Sequence, residues 1–430
     1  MAGERLRALF CDHLNLARGK ILPGWKIEGC ETRFCRSTFG VQYDKDLLDA
    51  PGAEMKNGLP DMIARWQAED IRPSWEKGIK VVPCDLFDAA GAPLGLCGRG
   101  ALRRAVADWQ AMGLTPKVGL ELEAYAFQYE EDGTLIPYDT PGAFVYGTGR
   151  FADPEGVLDA IWEASEEMGF SLEMMTGEYD SPQFEFTLAY DDALRAADDA
   201  FLFRLMAREI ALQHGILLTF MPKPVAEAGG SGLHVNFSFT DAQGNNALAN
   251  GEAGGPENMN DLARGCVAGL MRHHQGMALL VASCANSYQR LQPASLSGYW
   301  RNWGGDHRGV TTRVSAEGGA KARLEHRMGD GSANIYTLIA TVLQAARLGV
   351  VNGYPLPPME TGDCFERIDA TEAVPDGLEA AARALEADSA LREAVGPLLC
   401  DNLIFMKRNE ARKTRKLEGD ALRDFYIHFI

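Results

Sequence analysis

Four short segments alternate apolar and polar residues with a period of two, the pattern of strands with one buried face. In residues 118–127, Leu120, Leu122 and Ala124 share one face and Glu121 and Glu123 the other. In 181–188, Phe184 and Phe186 oppose Gln183 and Glu185. In 232–239, Leu233, Val235 and Phe237 oppose His234, Asn236 and Ser238. In 322–329, Leu324 and Met328 oppose Arg323, Glu325 and Arg327. Elsewhere, apolar positions recurring at three and four residues predict helices from Gly98 onward and over 155–168, 190–214, 260–284, 332–348 and 377–412. Before Leu96 the chain reads differently: short strands and turns over 4–23 and 25–45, and a further strand over 78–86. The change of pattern predicts a small domain over 1–96 and a large one over 97–430. Residues 242–257, rich in Gly and Asn, read as a loop. So does 292–309, whose length suits a lid.

Each strand alone could be a sheet edge with one wet face. His234 alone reads as a satisfied core histidine, and Arg323 alone as a surface ion-pair partner. The four together are unusual, because the acids on their polar faces are glutamates, with Arg beside them and no Lys. Glu121 and Glu123 on one face repel if bare. A divalent cation between such carboxylates turns repulsion into attraction, and oxygen ligands with one imidazole suit Mg2+ or Mn2+ better than Zn2+. The arginines two residues either side of Glu325 offer planar forks for phosphate or carboxylate. Metal ligands and Arg forks with no evident protein nucleophile point to phosphoryl transfer, where positioning and charge neutralisation supply the catalysis. The chain has no GxxxxGK[ST], no GxGxxG after a strand and no GxSxG, and its glycine-rich 228–234 can be read as a simple turn.

Composition narrows the partners. The chain has 430 residues, 46% hydrophobic and 24% charged, the profile of a globular protein. A net charge of −18 argues against nucleic acid and anionic membrane surfaces. ATP, if bound, needs local arginines or metal ions to offset that field. Charges interrupt the first residues and no run approaches a bilayer span, so neither a secretory leader nor a membrane helix is expected. Nine scattered cysteines without a CxxC read as free thiols, which fits a cytoplasmic location.

Taken in order, several segments resemble the glutamine synthetase family: FCDHLNLARGK (10–20), GLELEAYAF (119–127), EYDSPQFE (178–185), FMPKP (220–224) with GSGLHVNFS (230–238), NSYQRL (286–291), WGGDHRGVTTR (303–313) and RLEHRMGDGSANIY (323–336). The resemblance implies an α+β fold: a small N-terminal β-grasp-like domain and a large catalytic domain with a curved antiparallel sheet and flanking helices. It implies two or three Mg2+ or Mn2+ ions per site. Glu123, Glu178 and Glu185 would hold the first metal, and Glu121, His234 and Glu325 the second. Arg290, Arg327 and Gly230 would bind glutamate, and Arg308, Arg313 and Arg323 would face the ATP phosphates, with Asn236 and Ser238 along the nucleotide. Arg308 and Arg327 would act in catalysis. Family members form rings, usually dodecamers, and join an amine to the γ-carboxylate of glutamate through an acyl phosphate.

The chain departs from that pattern. Counted without gaps, Leu296 stands where the family has a glutamate that binds and deprotonates ammonium. An apolar residue there favours a small organic amine, with Leu296 at the acceptor end of the site. Tyr299, Trp300 and Trp303 either wall an enlarged pocket or pack the lid. Gly229 replaces the usual Asn before GSG, and Asn236 replaces the second histidine of an HxH strand. Three readings follow: a γ-glutamylamide synthetase, a glutamine synthetase using ammonium, and a catalytically silent structural or regulatory relative. An acidic residue arriving from 44–70 would restore the second.

Overall fold

The computed structural model describes residues 4–138, 142–363, 365 and 368–430. Its organising element is the Thr115–Tyr129 strand, whose inward residues Val118, Leu120, Leu122 and Ala124 are buried. Gln183–Asp192 pairs antiparallel on one side and Leu233–Thr240 on the other. The sheet continues through Leu172–Gly177 at one edge. At the other it runs through Leu324–His326, Thr312–Val314 and Trp303–Gly304, and nine strands take part in all. Every pairing is antiparallel except that of Trp303–Gly304 with Thr312–Val314. The register places Glu123 opposite Glu185, Glu121 opposite His234 and Asn236 opposite Glu325. Four separate sequence segments thus deliver their polar residues to one patch of one face.

The other face is closed by helices. Phe186 meets Phe203 of the Ala193–Gln213 helix with ring centroids 5.4 Å apart, and Trp109 of Gly98–Gln110 meets Phe239 at 4.1 Å. The Ile335–Asn352 helix lies in the centre of this layer. It is long and apolar enough to cross a membrane, yet 72% of it is buried within the fold. Its contact with Asp261–Arg272 is backbone to backbone: a Cβ on Gly349 would sit 2.0 Å from the Gly265 carbonyl oxygen. Only glycine permits that crossing.

Several predicted elements are subdivided. The 260–284 helix is two, Asp261–Arg272 and His274–Val281. The 377–412 helix is three: Leu378–Ala387, Ser389–Val395 and Pro397–Thr414. Asp388 caps the second by accepting from the Leu391 amide, and Gly396, at φ 136°, precedes Pro397. Both interruptions are local chemistry that apolar spacing does not register. A further helix, Gly419–Tyr426, had not been expected. The 190–214 helix starts at Ala193, because Asp191 and Asp192 still pair with the central strand.

In the N-terminal part, Arg5–Cys11 runs parallel to Ile79–Pro83 and antiparallel to Ala17–Pro23, and Arg72–Pro73 completes a four-stranded sheet. The expected 78–86 strand divides at Cys84, its second part, Asp85–Phe87, joining Glu31–Cys35 and Asp61–Arg65 in a smaller sheet. The connection from Pro23 to Ile79 holds 3-10 turns and short strands rather than an α-helix. A second hydrophobic cluster, with Leu6, Phe10, Phe39, Trp66 and Leu96, serves these sheets. The eight cysteines among the described residues are free thiols; Cys364 lies outside them.

Candidate functional site

Two sets of ligand-bearing side chains converge on the polar face of the large sheet. Glu121, His234 and Glu325 form one, and Glu123, Glu178 and Glu185 the other, with ligand atoms in each set within 4.8 Å of one another. His234 joins them. Its Nδ1 is 3.0 Å from Glu121 Oε2 and 3.7 Å from Glu325 Oε1, and its Nε2 is 3.7 Å from Glu123 Oε1. Glu178 arrives from the turn after Leu172–Gly177, where its amide donates to the Gln183 carbonyl.

Neighbouring groups fix these carboxylates. Asn236 Nδ2 donates to Glu121 Oε1 at 2.9 Å. The Gly232 amide donates to Glu123 Oε2 at 2.7 Å, and Gln183 Nε2 reaches the same oxygen at 3.3 Å. Burial opposes charge on Glu121, but the His234 hydrogen bond and charge, Asn236 and Arg327 prevail and hold it down to about 2. Glu185 goes the other way. Burial, then Glu121, Glu178 and Glu123, push it up to about 8. Two carboxyls on one face with pKa values driven apart mark a place that concentrates negative charge and suits a divalent cation. Oxygen donors with one imidazole are a donor set that Mg2+ or Mn2+ fits.

The arginines divide into distinct settings. Arg327 and Arg313 grip opposite oxygens of Glu325, Arg313 Nη1 at 3.1 Å. Among the described residues each keeps a buried Nε–H without a hydrogen-bond partner, a donor that suits an anionic oxygen. Arg327 also donates to the Leu296 carbonyl at 3.3 Å. Arg290 is buried and donates to the carbonyls of Met328 and Arg327. Gly230 makes room for it: a Cβ there would lie 2.5 Å from Arg290 Cγ. Arg323 stands apart, paired with Glu317 at 2.7 Å and with Ser315, as a surface ion-pair partner would be. Arg308 is exposed on the turn after Asp306. Ser238 is half-buried, opposite Lys117 in register.

Within the lid, Leu296 presents a side chain 41% exposed. Tyr299 and Trp300 meet edge to face at 4.9 Å, and the buried Trp303 donates from Nε1 to the Pro357 carbonyl. Trp303 therefore packs the lid instead of walling a pocket. Two groups escaped the sequence reading. Asp180 accepts from the Gly229 amide, while Tyr125 donates its hydroxyl to the Gly229 carbonyl at 2.9 Å, so the position that lacks the usual Asn is tied down by its neighbours. Glu360 is the other, and nothing in a periodic pattern marks it.

Glutamates and a histidine gathered for divalent cations, with arginines beside them, define a metal-dependent phosphoryl-transfer centre. Residues 95–426 match the family model for the glutamine synthetase catalytic domain, and the chain belongs to the glutamine synthetase family. It is 30% identical to the glutamine synthetase of Halobacterium salinarum over 98% of this chain and 93% of that one. It is also 30% identical to the glutamate–isopropylamine ligase of a Pseudomonas species, over 75% of this chain and 71% of that one. The solved structure described as "Apo GmaS without ligand" superimposes with a TM-score of 0.83 at 27% identity, covering 99% of this chain and 96% of that one. The fold is that of glutamine synthetase, and the chain is an ATP-dependent carboxylate–amine ligase acting on glutamate.

Proposed function

We propose that the acceptor is a small organic amine and that the chain is a γ-glutamylamide synthetase. The observation that carries this reading is Leu296. Its carbonyl is anchored on Arg327, so the residue sits beside the glutamate-binding and phosphoryl-transfer groups, yet its side chain offers no carboxylate to an ammonium ion. Likeness to a relative that is a glutamate–isopropylamine ligase supports it.

In this mechanism Glu123, Glu178 and Glu185 would hold one metal and Glu121, His234 and Glu325 another. When bound, the metals neutralise charge on the ATP phosphates. Arg290 and Arg327 orient glutamate so that a γ-carboxylate oxygen attacks the terminal phosphorus of ATP, and the bond to ADP breaks. Arg313, with Arg308 moving in as the lid closes, stabilises the transferring phosphoryl group. The amine nitrogen then attacks the acyl carbon, the carbon–oxygen bond to phosphate breaks, and the nitrogen gives up a proton to the departing phosphate. The 292–309 lid excludes water, which would otherwise hydrolyse the acyl phosphate. Asn236 serves here by fixing Glu121, and Arg323 and Ser238 border the nucleotide.

The division at Leu96, a cytoplasmic setting for the free thiols and a ring oligomer, a dodecamer by family analogy, belong to the same proposal. Ile21, Trp25 and Met55 in the N-terminal part, and Phe144, Tyr146 and Tyr179 near Glu178, are large exposed side chains that a neighbouring subunit would cover. The test is mass spectrometric detection of a γ-glutamylamide, with ADP and phosphate, from glutamate, ATP, Mg2+ and an organic amine. Glutamine formed from ammonium in preference to any amide would count for the ammonium reading.

A further inference from the structure

We infer that Glu360 is a positioning residue for the nucleotide side of the site: through Asn302 and Thr311 it sets the two arginines that grip Glu325. This rests on the ligase reading above. Glu360 is 6% exposed and lies in a loop far in sequence from every metal-binding candidate. Its carboxylate gathers five donors. The amides of Thr361, Gly362 and Asp369 converge on Oε1, at 3.1, 2.8 and 2.9 Å. The Ala370 amide at 3.1 Å and Asn302 Nδ2 at 3.2 Å reach Oε2. A carboxylate so saturated fixes the path of the surrounding chain.

Asn302 passes that order inward. Its Oδ1 accepts from the Thr311 amide at 2.9 Å, and its backbone carbonyl accepts from the Thr312 amide. The Thr311 carbonyl in turn accepts from the Arg327 amide at 2.9 Å. Arg313 follows two residues after Thr311 on the short Thr312–Val314 strand. Glu360 is further tied to the lid by its own amide, which donates to the Trp303 carbonyl. His307 Nε2 lies 2.8 Å from the Gly362 carbonyl oxygen, so the turn carrying Arg308 is attached to the same loop. One buried carboxylate thus underpins the backbone of Arg313 and Arg327 and the approach of Arg308, while touching none of them. Glu123 and Glu185 hang from other strands and Glu178 from a turn, and none of them shares this path.

The experiment uses the full-length wild-type, Glu360→Ala, Glu360→Gln, Asn302→Ala and Glu360→Ala/Asn302→Ala chains. Calorimetry gives the affinity for ADP with Mg2+ and, separately, for Mn2+ alone, so the result stands whether or not catalysis proceeds. Loss of the brace is expected to weaken ADP binding about tenfold in Glu360→Ala, with Asn302→Ala shifting the same way by less. Glutamine keeps one acceptor oxygen and restores part of the loss, and the double alanine variant binds ADP no more weakly than Glu360→Ala, because both act along one path. Mn2+ affinity at the Glu123 set stays within about twofold of wild type. Wild-type ADP affinity in folded Glu360→Ala and Asn302→Ala would overturn the inference, as would equal losses for ADP and Mn2+. If Glu360→Ala does not fold, Asn302→Ala decides by the same comparison. Failure of the ligase reading looks different: ADP binds to wild type and no amide forms.

Discussion

His234 Nδ1 lies 3.0 Å from Glu121 Oε2, across neighbouring strands and 113 residues apart in sequence. That contact sits where the two carboxylate sets meet, and it joins two of the groups that would bind a metal ion. Metal binding exchanges it for coordination, so the protein with Mg2+ or Mn2+ is expected to be more stable than without. At free metal about 100 times Kd the gain is ~2.7 kcal/mol, seen as a rise in Tm. Glu325→Ala and Glu185→Ala should each lose most of that rise. An unchanged rise in both would place the metal elsewhere.

The pH dependence has a definite sign. Burial, with Glu121, Glu178 and Glu123, raises Glu185 to about 8 in the folded, metal-free protein. The unfolded chain has an ordinary carboxyl at roughly 4.3. Folding therefore favours the protonated form, and the metal-free protein loses stability as pH rises from the ordinary value to about 8. A bound divalent cation removes that cost by favouring the carboxylate. The stabilisation given by Mg2+ should grow with pH over this window and level off above it. Thermal melts with and without Mg2+ at a series of pH values check this; a gain that shrinks with rising pH would contradict it.

Gly230 and Arg290 make a linked pair. A methyl on Gly230 would lie 2.5 Å from Arg290 Cγ, so Gly230→Ala must displace the arginine that caps the Arg327 and Met328 carbonyls. Arg290→Lys loses the planar fork and both of those bonds cannot be kept. Each variant should raise KM for glutamate by about tenfold or more, with a much smaller change in KM for ATP. Steady-state kinetics with each substrate varied in turn distinguish the two constants.

Lys407 and Glu410 form an ion pair at 2.8 Å with both side chains fully buried, and Tyr426 donates to the other Glu410 oxygen at 2.6 Å. Lys407→Met leaves Glu410 charged and unpaired, with an expected loss of about 3–5 kcal/mol in chemical denaturation. The Lys407→Met, Glu410→Leu double variant should be clearly more stable than Lys407→Met alone, because it removes the stranded charge as well.

The site was legible in the chain to the extent that it is built on strands. A period of two fixes which residues share a face, so Glu121 with Glu123, and His234 with Asn236, could be read directly. Register across strands could not, and the grouping of His234 with Glu121 came from family resemblance. The same parity argument puts Arg323 on Glu325's side of the strand, but it lies one residue before Leu324–His326 and pairs with Glu317. Loops were opaque. Glu360 acts through converging backbone amides, which leave no periodic trace, and the helix breaks at Asp388 and Gly396 are set by a cap and a backbone angle. The roles of Trp303 and Gly229 depend on partners distant in the chain, Pro357 and Asp180.

The central claim is tested most directly by kcat/KM for ATP-dependent phosphate release with glutamate and Mg2+, compared across ammonium, methylamine, ethylamine, isopropylamine, ethanolamine, putrescine and aniline, for wild type and Leu296→Glu. The account predicts that an organic amine outperforms ammonium in wild type and that Leu296→Glu moves the preference toward ammonium by about tenfold. A wild-type enzyme that clearly prefers ammonium, with Leu296→Glu unchanged in selectivity, would contradict it.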